Sequence, residues 1–241
     1  NPFGCHLKSS IFCVGVRPLS PEFPAMIAVR AIALLLTLTV TGCNSSAPPA
    51  PASAPVMQDY GVTDDAIQFS DNLATNTTTD DDISNLVFTN PEGQQVPLKS
   101  HLGQKSLVLV ITRGYAGSIC PYCATQTSRL IANYSKIQER NAEVIVVYPL
   151  EKPSDQPNLD QFVARAVSQL PADSRKVPFP LLLDVELKSV DKLGLRRNLS
   201  KPATYIFDRE GRVQFAYVGS SLADRPSIKA ILEQLDKINQ P

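Results

Sequence analysis

The sequence predicts an α/β domain: a central mixed β-sheet flanked by helices, with a β-hairpin extension at its N-terminal side. Three observations carry this prediction. Leu107-Val108-Leu109-Val110-Ile111 is an uninterrupted apolar run, as expected of a strand covered on both faces. A helical stretch then leads to a second β-rich run, Val144 to Tyr148, and strand, helix and strand in succession make a parallel crossover unit. Near the C-terminus, Ile228, Ile231, Leu232, Leu235 and Ile238 recur at helical spacing, so that helix must lay one apolar face on a sheet.

The chain has 241 residues, 23 basic and 23 acidic, with a formal net charge of zero. That balance excludes the basic excess with which nucleic-acid binders neutralise phosphates, so no nucleic-acid partner is expected. Met26 and Arg30 precede the apolar stretch Ala31 to Val40, which is far shorter than the roughly 20 residues a helix needs to cross a bilayer. Residues 26–42 therefore read as an export signal rather than a span. The four residues Val40-Thr41-Gly42-Cys43 resemble the lipobox of bacterial lipoproteins, which implies lipid attachment at Cys43 and a membrane-anchored protein in the bacterial cell envelope, facing the periplasm or cell exterior. Asn44 is not an aspartate, and the resemblance then weakly favours the outer membrane. Residues 1–25, with Cys5 and Cys13, show neither period nor motif and read as an upstream extension outside the fold. Residues 43–80 are rich in Pro, Ala, Ser and Thr and read as a semi-rigid tether that holds the domain off the membrane. The globular domain is expected over 81–241.

Within it, Leu86 to Thr89 and Gln94 to Leu98 flank the turn signal Asn90-Pro91-Glu92-Gly93 and predict the hairpin. After the central strand, a helix is expected from Pro121 to about Arg140 and another over Leu159 to Leu170, where Phe162, Val163, Ala166 and Val167 share a side. Phe179 to Leu183 reads as a short strand, followed by a helical turn near Leu187 to Leu193. Ala203 to Phe207 and the alternating Val213, Phe215 and Tyr217 flank the turn Asp208-Arg209-Glu210-Gly211, an antiparallel hairpin with one face buried.

Between the central strand and the first helix lies Cys120-Pro121-Tyr122-Cys123. A Cys-x-x-Cys in a strand-helix-strand setting reads as a redox pair. Pro121 suits the first helical position, which puts Cys120 at the helix N-terminus. There the exposed N–H groups and the dipole favour a thiolate, so Cys120 is expected to attack. Cys123, Thr127, Leu130, Tyr134 and Ile137 follow steps of four and three, which places Cys123 on the core-facing stripe as the resolving sulfur. A disulfide across so short a loop removes little chain entropy and would be a poor staple. A structural zinc site wants four ligands, whereas downstream of the signal stands one cysteine pair and one histidine, His101. Haem attachment needs a histidine where Ala124 stands. No metal and no cofactor beyond a Cys120–Cys123 disulfide is expected.

These parts together, with Arg113-Gly114, Phe179-Pro180-Leu181-Leu182-Leu183-Asp184, Leu193-Gly194-Leu195 and Pro202-Ala203-Thr204-Tyr205-Ile206-Phe207-Asp208 with Gly211, resemble the thioredoxin-like superfamily. The resemblance spans about Leu86 to Ile238. It points to the branch containing peroxiredoxin-like domains of the alkyl hydroperoxide reductase and thiol-specific antioxidant type, and membrane-tethered thiol-disulfide oxidoreductases. It implies a thioredoxin-like fold, a cis-proline at Pro202 facing the cysteines, and backbone beside Lys201 free to pair with an extended substrate. Peroxidase-active members resemble Pro-x-x-x-Thr-x-x-Cys, but here Arg113 stands seven residues before Cys120 and Gly117 three before. Ser118 is a candidate replacement hydroxyl, and Arg113, Arg196 and Arg197 are candidates for positive charge near a thiolate.

The expected activity is thiol-disulfide exchange, with Pro202 and Arg113 positioning substrate and a thiol-reducing protein as partner. The alternatives are a thiol peroxidase acting on hydroperoxides through the same cysteines, and a non-catalytic module whose disulfide senses redox state.

Overall fold

The computed structural model describes residues 68–240. The expected upstream extension over 1–25, the expected signal, Cys43 and the expected tether up to residue 67 lie outside the described residues. Nine strands and five α-helices are described: β1 (Gln68–Ser70), β2 (Val87–Thr89), β3 (Gln95–Pro97), β4 (Ser106–Ile111), α1 (Pro121–Ala132), α2 (Tyr134–Gln138), β5 (Ala142–Leu150), α3 (Asn158–Ser168), β6 (Leu181–Val185), α4 (Lys188–Lys192), β7 (Ala203–Phe207), β8 (Val213–Val218), β9 (Asp224–Pro226) and α5 (Ile228–Ile238).

Seven strands form one mixed sheet in the order β3-β2-β6-β5-β4-β7-β8. β6, β5 and β4 run parallel, while β2, β7 and β8 join antiparallel. All six residues of β4 are buried because both of its faces are covered. Leu107, Leu109 and Ile111 pack with Ile145, Val147, Phe88 and Leu98. Val108 and Val110 pack with Val144, Val146, Leu130 and Ile131 of α1, Ile137 of α2, and Ile231 and Leu235 of α5. Burying each such side chain stabilises the fold by about 1.5–3 kcal/mol. The predicted hairpin forms as β2 and β3, pairing Val87 with Pro97 and Thr89 with Gln95.

Three boundaries differ from the sequence reading. The helix expected to reach Arg140 breaks at Asn133, whose side-chain amide donates to the Arg129 carbonyl at 2.9 Å and so competes with the backbone ladder. The strand expected to start at Phe179 starts at Leu181, because Pro180 has no N–H to give a ladder. The low-order stretch expected to reach residue 80 is ordered from residue 68. β1 pairs in parallel with β9, and Asn76 donates its backbone and side-chain N–H groups to Ala216 and Val218.

Candidate active site

The site begins where β4 ends. Thr112 is buried and donates its hydroxyl to the Val147 carbonyl at 2.9 Å, so the chain leaves the sheet pinned to β5. Gly114 follows at φ +87°, and a Cβ there would stand 2.1 Å from the Pro149 carbonyl oxygen. A glycine is required at this turn by both its backbone angle and the approach of β5. The loop then delivers Cys120 to the N-cap of α1, with Pro121 at the first helical position, as the sequence predicts. Cys123 falls in the first turn and faces the core, and the stripe through Thr127, Leu130 and Ile137 is buried.

Both cysteines are free thiols, and both are buried. They share an apolar cluster with Ile119, Ala124, Tyr148, Leu150, Leu159 and Phe162. Two donors converge on the Cys123 sulfur, the backbone N–H of Arg113 and the Nη2 of Arg225, each at 3.3 Å, and the Cys120 thiol is coupled to it electrostatically. Arg225 comes from β9 and is 0% exposed. Its Nη1 donates to the Oε1 of Gln126, one turn beyond Cys123, and its Nε has no partner.

These contacts favour charge on Cys123, where the sequence placed it on Cys120. Burial raises the pKa of Cys123, but the Cys120 thiol, the Arg225 charge and the Arg113 N–H outweigh it and bring the value down to about 6. The Cys120 thiol is held well above the ordinary thiol value, first because it donates to Cys123 and next because it is buried. The helix terminus acts on the whole first turn, so it does not by itself select Cys120. Arg225 breaks the tie, and it lies 102 residues away in sequence. In sequence it reads as one more surface cation before a proline, and no local signal marks it or Gln126. Tyr148 was also missed. Its ring stacks on Phe162 at 4.7 Å between centroids, and its buried hydroxyl has no partner.

Pro202 is buried just ahead of β7, and its carbonyl accepts from Gly219 at 2.9 Å. A cavity of about 200 Å³ beside it is lined by Pro202, Gly219, Asn198, Arg113, Arg197 and Lys201, with no acidic side chain. Arg113 and Pro202 thus line one cavity, and the Arg113 backbone N–H reaches the Cys123 sulfur. The Lys201 backbone, expected to be free, is engaged: its N–H donates to Leu195 at 2.9 Å and its carbonyl accepts from the Ser200 hydroxyl. Arg196 is held by Asp191 through two 2.6 Å bonds and does not serve the pair. Ser118 is exposed and bonds neither sulfur. Among the described residues, no group of three or more metal-ligating side chains is gathered.

A strand-loop-helix that presents two clustered cysteines beside a mixed sheet defines a thiol-based redox enzyme of thioredoxin-like fold. Comparison places it further. The AhpC/TSA family model matches residues 79–216, and the chain belongs to that family. No curated protein matches at a significant level. Among solved structures, the fold is similar to peroxidoxin BcpB from Mycobacterium tuberculosis, with 17% identity, a TM-score of 0.50, and coverage of 70% of this chain and 100% of that one. It is also similar to a cysteine mutant of peroxiredoxin 6 from Arenicola marina, with 16% identity, a TM-score of 0.51, and coverage of 63% and 69%. Peroxiredoxin Q from Xanthomonas campestris matches at 19% identity with a TM-score of 0.48, over 68% of this chain and 97% of that one. At these identities the first two likenesses establish the fold, and the family establishes an oxidoreductase that works through thiols.

Proposed function

We propose that the protein is a thiol-disulfide oxidoreductase of the bacterial cell envelope, anchored by lipid on Cys43, in which Cys120 meets the substrate and Cys123 resolves. The observation that carries this reading is the Cys123 sulfur that accepts from the Arg113 N–H and from the buried Arg225 guanidinium, which favour its ionised form, with the Cys120 thiol coupled to it. As Cys120 attacks a substrate disulfide, its proton passes to Cys123, so the attacking sulfur becomes a thiolate only when needed. One substrate sulfur leaves as a thiolate and takes that proton from Cys123. Cys123 then displaces the second substrate sulfur as a thiolate and closes the intramolecular disulfide. A partner thiol protein restores the dithiol. Dithiothreitol-driven reduction of insulin tests the reading: catalysis by the wild type that is lost in Cys120→Ser supports it, and equal turnover by the two proteins removes it.

A second reading has its own support. Both sulfurs are nearly sealed, and the Lys201 backbone is unavailable to an extended peptide; a small hydroperoxide enters such a site more readily than a protein chain. In this reading Cys120 takes one peroxide oxygen as a sulfenic acid, releases alcohol or water, and condenses with Cys123 to give the disulfide and water. Family membership favours it too. Peroxide consumption no faster than by free cysteine would dismiss it.

A further inference from the structure

A fully buried guanidinium is costly unless an anion neutralises it. Arg225 has no carboxylate partner among the described residues; its bonds go to the neutral Gln126 amide and to the Cys123 sulfur. The adjacent Asp224 is taken by the Tyr217 hydroxyl and by Ser220. The ionised Cys123 sulfur is therefore the counter-ion that makes this buried cation tolerable. Oxidation removes that counter-ion. When the Cys123 thiolate and the Cys120 thiol become a disulfide, two electrons and one proton leave the pair, and Arg225 remains charged in the core beside a neutral sulfur.

We infer that Arg225 is a positioning residue that makes the dithiol the favoured redox state, so that the Cys120–Cys123 disulfide is an oxidant that readily takes electrons from thiols. This deepens the proposed function and rests on the pair cycling between dithiol and disulfide. It favours the recharging half of the cycle: two electrons pass from the partner dithiol into the Cys120–Cys123 disulfide, the partner becomes the disulfide, and one of its two protons is taken up by Cys120 while the other goes to solvent. Around Cys123 the titratable or charged groups are Cys120, Arg225 and Tyr148. Tyr148 is a neutral phenol held protonated by burial, and it cannot replace the cation.

The test is the equilibrium of the pair with glutathione redox buffers, read by alkylation of the free thiols and mass, in wild type, Arg225→Met, Arg225→Lys and Gln126→Glu. Gln126→Glu keeps the arginine and gives it a carboxylate in both redox states, so it protects the test against a misfolded Arg225→Met. The disulfide should become at least tenfold easier to form in Arg225→Met and in Gln126→Glu, a fall in potential of about 30 mV for this two-electron couple. Arg225→Lys should recover part of the difference. A Gln126→Glu equilibrium within twofold of wild type overturns the inference, whatever Arg225→Met does. If the wild type forms no disulfide at any buffer ratio, the cycling itself is refuted. The pH profile of Cys123 alkylation then decides on Arg225 alone, because it needs no disulfide: a midpoint unmoved by Arg225→Met overturns the assignment, and a midpoint moved toward the ordinary thiol value upholds it.

Discussion

A thiol cut off from water should become a weaker acid, yet Cys123 becomes a stronger one because the Cys120 thiol, the Arg225 charge and the Arg113 N–H outweigh burial. The consequence for stability follows from proton counting. Between about pH 6 and pH 9 the unfolded chain keeps a proton on Cys123 that the folded, reduced protein has already lost, so stability rises with pH across this window, by up to about 1.4 kcal/mol per pH unit. Above pH 9 the sign reverses, since folded Cys120 keeps a proton that the unfolded chain gives up. Denaturant unfolding of the reduced protein should show that rise and fall, and a flat profile would contradict it. Gly114 makes an equally local prediction. Alanine there meets the Pro149 carbonyl at 2.1 Å on a left-handed backbone, at a cost of at least about 1–3 kcal/mol. Gly114→Ala should lower the unfolding midpoint and, by shifting the Arg113 N–H off Cys123, raise the Cys123 pKa. A variant as stable as wild type would show that the loop gives way freely.

Among the elements, α5 depends on its start. Ser227 caps it, its hydroxyl accepting the Ala230 N–H at 3.0 Å, and Ser227→Ala should cost about 1 kcal/mol in thermal or chemical unfolding. No measurable loss would mean that the cap is replaced by solvent. The elements that sequence pattern reveals are those whose burial prints a period. β4 is apolar throughout because both its faces are covered, and α5 shows its stripe at i, i+3, i+4 and i+7 because only one face is. β1 and β9 were not legible, since a three-residue ladder has no period to show. β1 is fastened instead by Phe69 beneath the Arg129 guanidinium, 4.1 Å from the ring centroid. The break at Asn133 was equally hidden, because it depends on where one side-chain amide points. The cysteine pair was legible in position but not in charge. Its spacing announced a redox motif, whereas the residue that decides which sulfur ionises is a buried cation, a placement that sequence rules assign to the surface.

At the scale of the whole molecule, the sheet places the ends of β4, β7 and β8 around one corner. The cavity there carries Arg113, Arg197 and Lys201 with no acidic side chain in its lining. None of the three forms an ion pair among the described residues. Such a corner raises the local concentration of anions. Exchange with a dianionic aromatic disulfide should therefore slow as salt is added and slow further in Lys201→Glu, while a neutral dialkyl disulfide should respond to neither. Equal responses from the two substrates would remove the cavity from the account. The same assembly brings β9, and Arg225 with it, against the first turn of α1, so the charge at the reactive sulfur is a property of the whole fold rather than of its motif.

That charge can be read directly from the ultraviolet absorbance of thiolates in the reduced protein, titrated in wild type, Cys120→Ser and Cys123→Ser. One thiolate should appear with a midpoint near pH 6 in wild type, persist in Cys120→Ser and vanish in Cys123→Ser. A low-pH thiolate that survives in Cys123→Ser and disappears in Cys120→Ser would contradict the account at its centre.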